Sequence, residues 1–160
     1  MLSKYDEVRA RRARGDKGFT LIELLVVVVI IGVLIAIAIP VYLNYQEGSH
    51  DKAAQSDVRN AIAIMEQCYS ANNVYPAFGT VDASSSATGV EGDDKATSNT
   101  CASTLNVSPG TKLTVTIASG GTSYGIVAAN KKGTPTYYSY DSSAGGSVSG
   151  SGTAPTGFTI

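Results

Sequence analysis

Histidine occurs once in this chain, at His50, and cysteine twice, at Cys68 and Cys101. That leaves no set with the spacing of a zinc site. His50 stands beside Asp51 on a polar stretch and reads as a solvated side chain. A Ser-His-Asp triad would have to use this one histidine, next to a membrane segment. No G-x-x-x-x-G-K-[ST] stretch is present, so the chain is not expected to hydrolyse nucleotide itself. Asp82, Glu91, Asp93 and Asp94 lack the alternating D-x-D-x-D-G spacing of an EF-hand loop, and no metal is expected there. Neither catalysis nor a cofactor is expected.

Positive charge is scarce beyond the first eighteen residues. Residues 1–18 hold six basic groups against three acidic, a net of +3; the rest holds six basic and ten acidic, a net of −4. A mildly acidic body argues against a general nucleic-acid binder, because neutralising phosphates takes clustered Lys and Arg. No specific nucleic-acid site is expected.

The chain does contain one long apolar run. Leu24 to Ile39 has no charged residue, and the run extends to Phe19 and Leu43 with interruptions at Thr20, Glu23, Gly32 and Pro40. About 20 apolar residues suffice to cross a bilayer. The basic residues before the run predict a cytoplasmic N-terminus, with the remainder across the membrane. A secretory signal peptide is the first alternative, with Ala36 and Ala38 imitating its small-residue cleavage site. The length of the run and the helical pattern that follows argue against it. Glu23 fits neither, since a carboxylate inside a span costs about 2.5–3.5 kcal/mol at the helix centre and less near the interface. Glu23 either lies near the headgroups or has a positive partner.

The stretch "KGFTLIELLVVVVIIGVLIAIAIPVY" resembles the N-terminus of the type IV pilin superfamily, prepilins and pseudopilins with a class III signal peptide. The resemblance implies cleavage by a prepilin peptidase between Gly18 and Phe19, followed by N-methylation of Phe19. Glu23 is then the fifth residue of the mature chain, where the family carries glutamate. Cutting creates an amino group one helical turn from Glu23, at i,i+4. The resemblance implies that a neighbouring subunit's N-terminus pairs with Glu23 in a filament. Such a pair sets register more than it supplies cohesion, because both ions lose hydration. Pro40 matches the family's helix-interrupting proline and is expected to kink the helix, since proline removes one backbone donor.

Beyond the run, Ala54, Val58, Ala61, Ile62, Met65, Cys68 and Tyr69 recur at spacings of three and four. This predicts an amphipathic continuation of the helix, capped near Asn72-Asn73. Gly48 is a possible second bend, and Tyr42 and Tyr45 read as interfacial aromatics. Residues 72–111 read as loop. "KLTVTIAS", "SYGIVAAN", "TYYSYDS" and the terminal "GFTI" read as short strands separated by turns, and Ser142 to Gly152 as a flexible loop. An even cysteine count in a chain that leaves the cytoplasm favours a Cys68–Cys101 disulfide over two separate thiols.

The expected fold is α+β: a long N-terminal helix, apolar then amphipathic, packed on a small antiparallel sheet of three or four strands. The expected organisation is a cleaved leader (1–18), a transmembrane and filament-core helix (19–43) and a globular head (44–160). Its sheet is expected over 112–160. The expected role is a pilin that polymerises with copies of itself into a surface filament serving adhesion, motility or DNA uptake. Its partners would be the membrane before assembly, a prepilin peptidase, and an assembly platform with its ATPase. A pseudopilin of a type II secretion system or competence pilus is the alternative. A tethered monomeric binding domain is a third reading, but it has no use for a cut at Gly18 or a carboxylate at Glu23.

Overall fold

A computed structural model describes residues 18–83, 88–91 and 104–158. The chain divides into two compact units between Tyr42 and Leu43. One helix, α1 (Leu21–Asn72), contributes to both.

The first unit holds the apolar part of α1. Val26 to Val29 is a β-branched run, and β-branched residues are weak helix formers in water. In hydrocarbon the balance reverses, because a helix alone satisfies every backbone N–H and C=O within one segment. All side chains from Gly18 to Ser49 are exposed. The segment is long and apolar enough to cross a membrane. Pro40 lies inside α1, so the helix does not end at Ile39. Proline has no N–H to donate, which leaves the Ala36 carbonyl without its usual partner four residues on.

In the second unit α1 becomes one-sided. Ala54, Val58, Ala61, Met65 and Cys68 are buried, while Ser56, Arg59, Asn60, Glu66 and Gln67 remain exposed. The helix stops as its composition dictates. Asn73 takes a left-handed φ of 55°, and its N–H donates to the Tyr69 carbonyl at 2.7 Å. Asparagine tolerates that conformation at a helix C-terminus.

Two antiparallel sheets follow. The larger has five strands in the order β1-β4-β5-β6-β7, comprising β1 (Thr80–Asp82), β4 (Thr111–Ile117), β5 (Tyr124–Asn130), β6 (Tyr137–Asp141) and β7 (Ser149–Ser151). The smaller pairs β2 (Thr88–Glu91) with β3 (Thr104–Val107). Leu113, Val115, Tyr124, Ile126, Ala128 and Tyr138 join Ala54, Val58, Ala61 and Met65 in one core, closed by Phe78, Val81, Leu105 and Val107.

The sheet therefore has five strands rather than three or four, and strands also occur within the 72–111 stretch that reads as loop. Both added strands are three-residue edges. β7 is Ser-Gly-Ser, exposed throughout, so it has no apolar alternation to betray it. Its register is marked instead by a Ser139–Ser149 hydroxyl pair at 3.1 Å. The terminal "GFTI" is not a strand over its described part. Gly157 turns with φ 84°, and Phe158 is buried against the edge of the Tyr137 ring. The letters G-x-S-x-G do occur, at Gly121 to Gly125, but Ser123 lies in the β4–β5 hairpin turn and not at a strand-to-helix elbow.

Polar groups on the helix fix the loops around the sheet. The Asp57 carboxylate accepts from the Ser108 N–H at 2.8 Å and the Ser108 hydroxyl at 2.9 Å. Glu66 accepts from the Tyr124 hydroxyl at 2.8 Å. Burial, and then Glu66, push the Tyr124 phenol well above its ordinary range, so it remains a donor. Tyr75 stacks on Tyr69 and lies tilted against Tyr124, with ring centroids 4.5 and 4.7 Å away.

Asp51 is only 8% exposed, and its Oδ2 accepts from the Thr134 hydroxyl. Its Oδ1 has no hydrogen-bond partner among the described residues. That oxygen lies where a Cβ on Gly133 would stand.

Candidate functional site

The start of α1 carries the residues singled out by the sequence. Gly18, Phe19 and Thr20 precede the helix and are exposed, Phe19 at 80%. The Gly18–Phe19 peptide thus lies in irregular backbone just outside the first turn. Thr20 is the N-cap, since its carbonyl accepts the Leu24 N–H at 3.3 Å.

Thr20 and Glu23 form a reciprocal capping box. Glu23 Oε2 accepts from the Thr20 N–H at 2.7 Å and from the Thr20 hydroxyl at 2.8 Å. The Glu23 N–H in turn donates to Thr20 Oγ1 at 3.3 Å. The pattern T-x-x-E before an apolar run encodes this arrangement. A carboxylate in the first turn also complements the positive end of the helix dipole. Glu23 therefore has a partner within its own chain before any cut is made.

Both bonds from Thr20 end on Oε2, and Oε1 accepts none among the described residues. The carboxylate can cap its own helix with one oxygen and present the other outward. Its neighbours along the first turns of the helix are apolar. Leu21, Ile22, Leu24 and Leu25 are all more than half exposed. A cation reaching Oε1 would meet a negative charge with little competing water once those side chains are covered.

The remaining residues of interest fall elsewhere. Pro40 sits within the apolar part of α1. Cys68 is 1% exposed on the amphipathic part, and Cys101 lies outside the described residues. So do most of the leader and Asp93 and Asp94. Among the described residues no group of three or more His, Cys, Asp or Glu could hold a metal ion. Sequence reasoning passed over Thr20, although the spacing to Glu23 was its signal. It also passed over Asp51, whose partner Thr134 is 83 residues away and leaves no local trace.

Residues 13–39 match a family described as a prokaryotic N-terminal methylation motif. The chain is 38% identical over 63 residues to the type IV major pilin protein PilA of Myxococcus xanthus, covering 39% of this chain and 29% of that one. It is 50% identical over 53 residues to the type IV major fimbrial protein FimA of Dichelobacter nodosus, covering 33% and 34%. With the type IV wide pilus major component PilA4 of Thermus thermophilus it shares 39% identity over 62 residues, covering 39% and 47%. The chain thus spans about a third to a half of the length of these relatives. No solved structure matches significantly. The matched motif and these relatives make the N-terminal third of the chain similar to the N-terminal segment of type IV pilins.

Proposed function

We propose that this chain is the structural subunit of a type IV pilus. A prepilin peptidase cuts it at Gly18–Phe19 on the cytoplasmic side and N-methylates Phe19. The apolar part of α1 anchors the subunit in the membrane and then forms the filament core, and the head faces outward. The observation that carries this reading is the capped helix start. An exposed junction precedes a helix whose first-turn carboxylate keeps one oxygen open, and about twenty apolar residues follow. A peptidase, an assembly platform and its ATPase are the partners this requires. The names of the relatives, major pilins and fimbrial proteins, support a pilin rather than a pseudopilin. No catalytic step is assigned to the chain.

Material sheared from the cell surface should begin at an N-methylated Phe19 when its terminal peptide is read by mass spectrometry. A filament subunit that still begins at Met1 would overturn the reading. Electron microscopy of the same material should show filaments.

We further propose that Cys68 pairs with Cys101, closing a loop of about 33 residues whose bridge contributes on the order of 3 kcal/mol in the chain-entropy model. Thiol alkylation should label neither cysteine before reduction, and reduction should lower the head's melting temperature. Labelling of both cysteines in the native, unreduced protein would refute the bridge.

A further inference from the structure

Glycine is costly inside a strand, and Gly125 is the second residue of β5 with partners on both sides. Three causes account for such a glycine: a bulge, a backbone that only glycine adopts, or the close approach of something else. The register runs unbroken, with Gly125 opposite Thr116 on β4 and Asp141 on β6, so there is no bulge. Gly125 is absent from the residues with positive φ. A Cβ built on it meets nothing closer than the Tyr140 carbonyl at 3.9 Å, so packing does not demand glycine either. The remaining cause is close approach of another group, a ligand or a second backbone, and the space above Gly125 is open to it.

Gly125 lies in a slot on the face of the sheet turned away from the core. Gly125 and Val127 line its floor; Thr116, Ser139, Asp141 and Ser149 supply polar walls. Ala144 and Pro155 add apolar edges from the segments around β7. The slot is an open groove with a volume of about 420 Å³, within the size of small-ligand sites. Its chemistry is narrow. Hydroxyls both donate and accept, and among the described residues no Lys or Arg lines the slot. Asp141 Oδ1 is held by the Ser143 hydroxyl at 2.7 Å and N–H at 2.8 Å, and these bonds keep the carboxyl below its usual range and ionised at neutral pH. An ionised carboxylate without a nearby cation repels anions. An apolar floor beneath a hydroxyl rim fits a molecule with a C–H face and a hydroxyl edge.

We propose that this slot binds a neutral saccharide, laid with its C–H face on Gly125 and Val127 and its hydroxyls toward Thr116, Ser139 and Asp141. The site lies wholly within the head, so it stands whether or not the chain forms filaments. The test uses the full chain in detergent micelles on an array of neutral hexose- and N-acetylhexosamine-terminated oligosaccharides. Sialylated and sulfated counterparts are included, and spermidine is titrated separately. Neutral glycans should bind, and Gly125→Val should weaken the best of them at least about tenfold. The same variant should keep or raise the head's melting temperature, because the added side chain enters open space and valine favours a strand. Asp141→Asn should weaken binding less and raise the signal from anionic glycans. The proposal is overturned if no neutral glycan binds, if sialylated or sulfated glycans or spermidine bind better, or if Gly125→Val binds as the parent does.

Discussion

If the chain is the proposed pilus subunit, replacing Glu23 with alanine should leave it in the membrane and sharply reduce filament yield. Insertion should survive because the substitution deletes a charge from an apolar segment, which insertion scales favour by about 2.5–3.5 kcal/mol at most. Assembly should fall by tenfold or more, on the order of the 1.4 kcal/mol or greater that a desolvated charge pair loses when one partner is removed. Two further variants separate the roles of the carboxylate. Glu23→Gln can still accept the Thr20 N–H, so it keeps the cap and loses the charge. Thr20→Ala removes the hydroxyl that exchanges bonds with Glu23 and keeps the charge, costing the helix start about 1 kcal/mol. If charge sets register, Glu23→Gln should resemble Glu23→Ala, and Thr20→Ala should assemble nearly as the parent. Sheared filament yield and membrane fractionation measure both quantities. A Thr20→Ala defect as deep as that of Glu23→Ala would mean that the cap is what assembly needs.

The largest effect on the head should come from Gly133→Ala. The new methyl would overlap Asp51 Oδ1, and the oxygen belongs to a buried side chain whose other end is held by Thr134. Overpacking of this kind costs about 1–3 kcal/mol. For a head of this size the melting temperature should fall by roughly 5–10 °C. Asp51→Ala makes room for the methyl, so the double variant should be more stable than the sum of the single effects requires, with a coupling of about 1 kcal/mol or more. Calorimetry of the four proteins completes the cycle. Strict additivity would show that Gly133 is needed for its backbone and not for the space above Asp51.

The sequence disclosed what depends on long, periodic patterns. The apolar run and the spacing of Ala54, Val58, Ala61 and Met65 defined α1, and alternation in "KLTVTI" and the runs after it marked β4 to β6. What it concealed is non-local or too short. β1 and β7 have three residues each, and a three-residue strand is defined by its neighbour rather than by its own pattern. The seating of Asp51 depends on a turn 83 positions away. Thr20 was concealed in a different way. Its hydroxyl and spacing are plain, but a carboxylate before an apolar run points first to a cation on another molecule and not to the residue three positions upstream.

In the proposed filament, the bare flank of α1 also bears on what drives assembly. From Leu21 to Leu43 its large apolar side chains lie about half exposed or more in the single chain. On the proposed reading they would touch lipid tails before assembly, and leucine, isoleucine and valine of other copies in a filament. Hydrocarbon tails are about as apolar as leucine, so the exchange moves this surface between two oily phases and removes almost none of it from water. Burial free energy is therefore nearly equal on the two sides and gives the transfer little direction. Polymerisation through this helix would run close to balance, governed by shape fit between helices, by the few polar groups such as Glu23, and by external driving force. A fibre built on such a near-degenerate exchange can return its subunits to the bilayer as readily as it takes them up.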